Sequence, residues 1–238
     1  MFHKIVISLL IVISMAACTK KPDQALVILF EQAEPDVKPY MQRMIVSDTY
    51  LRFDDGVDSN DFLLFDRKAE VIYSSNADDQ RILVIKRKPR PQQPPVQLKH
   101  KTVAAKDKLP TIDNKTVTHY SYLTNDQLCF DVFAAKGLLP KARHALIQYV
   151  DVLAGEQSEM LNIIPADMQS PCDLANNIFA ADRHLRDGFP IRQQDMLGRS
   201  RELMSYSWQA PQAAWFVLPE GYKHFTTEDM RSRTAPTG

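Results

Sequence analysis

Apolar positions along this chain follow two periods, the first giving way to the second near residue 140 and returning near 189. Ala25 to Phe30 is unbroken apolar text and predicts a buried strand. Tyr40 to Phe53 alternates loosely, with Met41, Arg43, Ile45 and Ser47 on one side and Gln42, Met44 and Val46 on the other. It reads as one strand ending in the turn Asp54-Asp55-Gly56. Asp61–Asp66, Val71–Ser74 and Arg81–Lys86 are short β-rich runs separated by Arg67-Lys68-Ala69-Glu70 and Asn76-Ala77-Asp78-Asp79, the spacing of an antiparallel meander. Lys88 to Pro95 has too few backbone N–H groups for a sheet and predicts a stiff connector, a polyproline ligand being the competing reading. Val96–Ala104, Thr116–Leu123 and Leu128–Ala134 predict further strands.

From Pro140 to Ala154, Ala142, Leu146, Tyr149, Val150 and Leu153 recur at helical spacing, with Pro140 suited to the first turn and Gly155 to the stop. A second helix is predicted to start at Ser170-Pro171-Cys172-Asp173. Ser170 would cap it, and Leu174, Ile178, Ala181 and Leu185 would face inward. Phe189–Gln194, Arg201–Trp208 and Ala214–Leu218 return to strand character, and 226–238 reads as a flexible tail. The order of elements predicts an α+β fold, an antiparallel sheet with two helices packed on one face, in a single domain spanning 25–225.

The first residues change the picture most. Lys4 precedes an apolar run, Ile5 to Ser14, that is shorter than the roughly 20 residues a bilayer-spanning helix needs, so 1–17 reads as a signal peptide. The run ends in Met15-Ala16-Ala17-Cys18, which resembles the bacterial lipobox, with Met15 in place of the usual Leu. The resemblance implies a diacylated Cys18 at the head of a tether, 18–24. Cleavage after Ala16, leaving a free thiol, is the alternative. In enteric lipoproteins an Asp after the acylated cysteine favours the inner membrane, so Thr19 implies the outer membrane of a Gram-negative envelope, facing the periplasm.

That compartment bears on the remaining sulfurs. With Cys18 acylated, Cys129 and Cys172 form an even pair where oxidation is the default, and a disulfide between them is expected; two separate buried thiols are the alternative. Lys+Arg and Asp+Glu are both 29, which leaves no global field for nucleic acid. Seven glycines, none in Gly-x-Ser-x-Gly or a phosphate-loop spacing, disfavour a serine hydrolase or nucleotide enzyme. His100, His119, His144, His184 and His224 lie far apart on different predicted elements; His144 and Gln148 would share a helix face. No H-x-x-x-H offers two imidazoles to one metal, and no cofactor is expected. The pairs Asp54-Asp55 and Asp78-Asp79 read as solvated turns rather than calcium loops, and Lys86-Arg87-Lys88 with Arg90 as a solvated strand end rather than a headgroup site.

Asp61-Phe62-Leu63-Leu64-Phe65-Asp66, Val71-Ile72-Tyr73 and Ile82-Leu83-Val84-Ile85 resemble a family of exported bacterial proteins of unassigned function. Gly188-Phe189-Pro190-Ile191 and Phe216-Val217-Leu218-Pro219-Glu220-Gly221-Tyr222-Lys223 are similar to its closing text, so the likeness covers about two thirds of the mature chain. The family is similar in architecture to the periplasmic carriers of outer-membrane lipoproteins, which implies a curved antiparallel sheet, a half-open barrel, around an apolar cavity. A soluble carrier leaves the membrane, whereas lipid on Cys18 would hold this chain there. The expectation is a non-catalytic lipoprotein that binds a lipid or other apolar ligand in the concave sheet. Phe62, Phe65, Tyr73, Phe130, Phe133, Phe179, Trp208 and Phe216 are the candidate lining. In the rival reading those side chains fill the core, and the protein is an accessory subunit of an envelope assembly, reaching an envelope protein through its Pro-rich loop or a sheet edge.

Overall fold

The computed structural model describes residues 24–57, 59–165 and 168–234; the leader and Cys18 lie outside them. The first strand, β1 (Ala25–Ala33), enters the middle of the sheet. From it the chain meanders outward through β2 (Tyr40–Val46), β3 (Tyr50–Asp54), β4 (Phe62–Asp66), β5 (Val71–Asn76) and β6 (Arg81–Lys86). It then crosses to the far edge and returns through β7 (His100–Ala104), β8 (Val117–Thr124), β9 (Gln127–Ala135), β10 (Phe189–Asp195) and β11 (Ser200–Gln209). The last of these pairs antiparallel with β1, Ala25 opposite Gln209, and a short β12 (Lys223–Thr226) adds to β6 in parallel. The result is one 12-stranded sheet, mostly antiparallel and not closed into a barrel, in the order β12-β6-β5-β4-β3-β2-β1-β11-β10-β9-β8-β7.

Position in the sheet explains why β1 reads as continuous apolar text. Leu26, Ile28 and Phe30 enter the main core with Met44, Val46, Leu51 and Phe65, while Ala25, Val27 and Ile45 on the opposite face pack under Trp215. A strand covered on both faces has no polar side to alternate with.

Helix α1 (Pro140–Ser158) covers the first of these faces. Ala142, Ala145, Leu146 and Val152 are buried in the core, and the Tyr149 ring packs against Phe53 and Phe65 with centroids 5.4 and 6.0 Å away. Gly155 does not stop the helix. A Cβ there would stand 2.5 Å from the Lys88 carbonyl oxygen, so the glycine lets the Pro-rich connector cross the helix in close contact.

The second predicted helix is broken. Ser170 caps α2 (Pro171–Leu174), accepting from Asp173 N–H; Ala175–Phe179 widens into a π-turn, and α3 (Arg183–Arg186) follows. Leu174, Ile178, Ala181 and Leu185 are nonetheless all buried.

Other boundaries also moved. Tyr40–Phe53 is two strands, because the Ser47 hydroxyl accepts from the N–H groups of Thr49 and Tyr50 and turns the chain there. Val96–Ala104 pairs only from His100, and Ala214–Leu218 is a single 3₁₀ turn, Ala213–Phe216, that lays Trp215 on the sheet. The expected tail instead begins with the end of β12 and α4 (Thr227–Thr234), where Arg231 pairs with Glu156 and Glu159.

Asp54, expected in a solvated turn, is buried. It accepts from Arg43 Nε at 2.7 Å and Arg52 Nε at 2.6 Å, and Arg52 also donates to the Trp215 carbonyl and lies over the Phe62 ring. The basic run after β6 is likewise consumed internally. Lys88 pairs with Glu156 and Glu228, Arg87 with Glu70 and Asp151, and Arg90 with Asp151.

Candidate functional site

The eight aromatic residues expected to line one cavity are spread over the molecule. Phe65 is fully buried under Tyr149, and Phe62 lies on the opposite face beneath the Arg52 guanidinium at 3.8 Å. Tyr73 neighbours His224, Phe130 packs on His184, Phe179 sits half-buried in the π-turn, and Phe216 stacks on Tyr50. Trp208 is half exposed with the Lys141 ammonium 5.8 Å from its ring centre. The sheet face beneath α1 is packed by α1 itself, so these side chains do not bound a common hollow there.

Phe133 is the exception, for it lines a groove of about 490 Å³ over β8 to β11, beside the main core. Leu109, Pro110 and Ile112 form one wall, from the loop 105–116. Val117 of β8, Phe133 of β9, Ile191 of β10 and Leu203 of β11 form the rest, with Arg192 and Glu202 the polar members. The size lies within the 300–1,000 Å³ common for ligand pockets, and the lining has their usual composition, apolar with a few polar groups.

Local chemistry shapes both walls. The loop folds back at Asp113-Asn114, whose φ angles of 46° and 59° are left-handed, and the Ile112–Lys115 bridge closes the turn. The Tyr206 hydroxyl donates to the Asp113 carboxylate and ties the loop to β11. On the sheet side the pairing of β10 with β9 slips between Pro190 and Arg192, and that of β11 with β1 slips beside Leu203. Such bulges re-aim side chains out of strict alternation.

Beside the groove the His119 ring stacks on Phe133 with centroids 4.4 Å apart, and its Nε2 lies 2.6 Å from Asp131 Oδ1. Ser121 Oγ donates to the same oxygen at 3.1 Å. Serine and histidine thus share one carboxylate oxygen, whereas a nucleophilic triad places the imidazole between the hydroxyl and the carboxylate. The trio orients the imidazole over Phe133.

Cys129 and Cys172, both fully buried, form the expected disulfide between β9 and α2. Nearby, Arg183 donates to the Leu123 carbonyl, Thr124 and Asn176, and Asn176 donates to the Cys129 carbonyl. Burial, with the neighbouring Arg201 and Arg183, pushes His184 down to about 3 and keeps it neutral. His144 and Gln148 do share a face of α1, and both meet the Arg67 guanidinium. No group of three or more His, Cys, Asp or Glu side chains that could hold a metal occurs among the described residues.

A second apolar groove, about 240 Å³, lies between the end of α1 and α2. Met160, Leu161, Ile164, Met168, Leu174 and Ile178 contribute to it, and Met168 is 72 % exposed. Leu109, Pro110, Ile112 and Leu203 were not foreseen as site residues. The Asp113-Asn114 turn was the available signal, since a two-residue turn of this type folds the apolar residues before it onto a neighbouring surface. No family model matches the chain, and no curated protein was found to be similar to it.

Proposed function

We propose that this protein is a non-catalytic lipoprotein of a Gram-negative envelope, anchored through Cys18, that binds an acyl chain or similar apolar group in the groove under loop 105–116. The groove's lining carries the proposal. Seven apolar side chains face about 490 Å³ of space, and its only charged groups, Arg192 and Glu202, have half-exposed side chains with Arg192 Nε 3.9 Å from Glu202 Oε2. The continuous sheet with α1 on one face supports a likeness to the lipoprotein carriers. With α1 packed on the core, the binding surface falls beside that core, over β8 to β11.

The test is native mass spectrometry after gentle extraction, together with uptake of a fluorescent fatty acid. Co-purifying lipid is expected, and Ile112→Asp, which places a charge in the groove wall, should weaken uptake about tenfold, equivalent to about 1.4 kcal/mol. A clean apo mass with no uptake by the unaltered chain would remove the proposal.

The accessory-subunit reading draws on a different observation, the exposed Met160, Ile163, Ile164 and Met168 beyond α1. Such a patch is a protein-contact surface in many folds. Photo-cross-linking from position 168 in cells should then capture one reproducible envelope protein; scattered products would discard it.

A further inference from the structure

A third cavity, about 370 Å³, opens between α1 and the first strands, where Gln32, Gln42, Phe53, Leu63, Tyr149 and Arg201 meet. Asp54 borders it as well, and the donors among its polar groups are Arg201, the Tyr149 hydroxyl and the glutamine amides. Arg201 is half-buried, stacked over the Phe30 ring at 4.6 Å, and gives one long hydrogen bond, 3.5 Å, to Gln193. No carboxylate lies within 4.0 Å of its guanidinium among the described residues, in contrast to Arg43 and Arg52 on the other face, which share Asp54.

Burial lowers the Arg201 pKa to about 10, so it remains a cation at neutral pH. Burial raises that of Tyr149 to about 12, so the phenol keeps its proton. The Tyr149 hydroxyl makes no hydrogen bond among the described residues, and the Gln32 amide donates to the Gln42 carboxamide oxygen, leaving the Gln42 amide hydrogens as donors and the Gln32 oxygen as an acceptor. Asp54 borders the cavity with its carboxylate engaged by Arg43, Arg52 and the Gly56 N–H.

A guanidinium has five N–H donors, and a half-buried cation that gives one long hydrogen bond and meets no carboxylate keeps most of them for a ligand. Donors converging on a cavity beside Phe53 and Leu63 match an oxyanion borne on an apolar body. We infer that this cleft is a separate binding site for a fatty-acid-type carboxylate, with Arg201 and the Tyr149 hydroxyl holding the head and Phe53 and Leu63 flanking the first part of the chain.

Calorimetry on the full chain carrying Cys18→Ser and Ile112→Asp, which leaves the residues of this cleft unchanged and weakens the other groove about tenfold, separates this site from the function proposed above. Decanoate should bind at least tenfold more tightly than decanol, and more tightly than inorganic phosphate. Arg201→Gln should abolish the preference for decanoate. Tyr149→Phe, which keeps the ring against Phe53 and Phe65, should weaken decanoate several-fold and leave decanol unchanged, a readout that survives if the arginine variant fails to fold. Equal binding of decanoate and decanol, or a preference unmoved by both substitutions, would overturn the site. Phosphate binding as tightly as decanoate would replace the amphiphile with a simple oxyanion.

Discussion

Asp54 has no accessible side-chain surface, yet it is ionised, because two guanidinium groups and the Gly56 N–H converge on it. Burial pulls its pKa up; the hydrogen bonds from Arg43 and Arg52 outweigh burial and leave the pKa below the usual carboxylate value. Removing one member of such a cluster strands the others. Asp54→Asn should lose about 3 kcal/mol in urea denaturation, the cost typical of breaking a buried pair. The lowered pKa also sets a pH window. The carboxylate's contribution is complete above the ordinary value near 3.9 and disappears as the pH falls through the lowered one. His184 acts earlier in an acid titration. Its pKa is about 3 when folded, against about 6.5 unfolded, so the unfolded chain binds the proton first and stability falls from pH 6.5 toward 3. The slope from this one group approaches about 1.4 kcal/mol per pH unit, and His184→Gln should flatten the stability curve across that range by as much.

At the scale of elements, the broken helix region from Pro171 to Arg186 holds its place through few backbone regularities. Its attachments include the Cys129–Cys172 bond, hydrogen bonds from Asn176 to the Cys129 carbonyl and from Arg183 to Leu123 and Thr124, those from Arg90 and Arg143 to the Ile178 and Leu185 carbonyls, and the burial of Leu174, Ile178 and Leu185. The disulfide spans 43 residues, and closing a loop of that length restricts the unfolded chain by about 4 kcal/mol in the chain-entropy model. Replacing both cysteines by serine should lower stability by about that amount. Hydrogen exchange should show the loss concentrated in α2, α3 and the end of β9, while β1 and β2 stay protected; uniform loss of protection would place the bond in the global core instead. Residue pattern made α1 legible to within a turn at its start, since Pro140 and the spacing of Ala142, Leu146 and Tyr149 are local properties. Its end was not legible. Gly155 carries the same local signal whether it stops a helix or lets another segment cross one, and the Lys88 carbonyl that decides between them is distant in sequence.

Across the whole molecule, β1, the first strand among the described residues, lies at the sheet's centre, and both long meanders flank it. Ala25 pairs near the end of β11, so any tether attached to Cys18 reaches the fold within a few residues of Gln209 and Trp208. On the lipoprotein proposal, Cys18→Ser should move the protein from the membrane to the soluble periplasmic fraction with its fold intact, read by fractionation and by loss of palmitate labelling. Membrane retention of that variant, or no label on the unaltered chain, would end the lipoprotein reading.

The buried strand β1, the β4–β6 meander, the helix from Pro140, the strands around Cys129 and the partnership of two cysteines were decided by the sequence itself, whereas the division of 40–54 into β2 and β3 was not. Periodicity, turn chemistry and cysteine parity act over a few residues or by counting. Tertiary structure alone decided that β11 joins β1 and that β12 lies parallel to β6. It also decided that α1 fills the sheet face and that Asp54 is buried. The groove under 105–116 and the cleft at Arg201 belong to the same group. Each depends on which surfaces meet after the sheet forms, and an alternating pattern states that a side chain will be covered without stating by what.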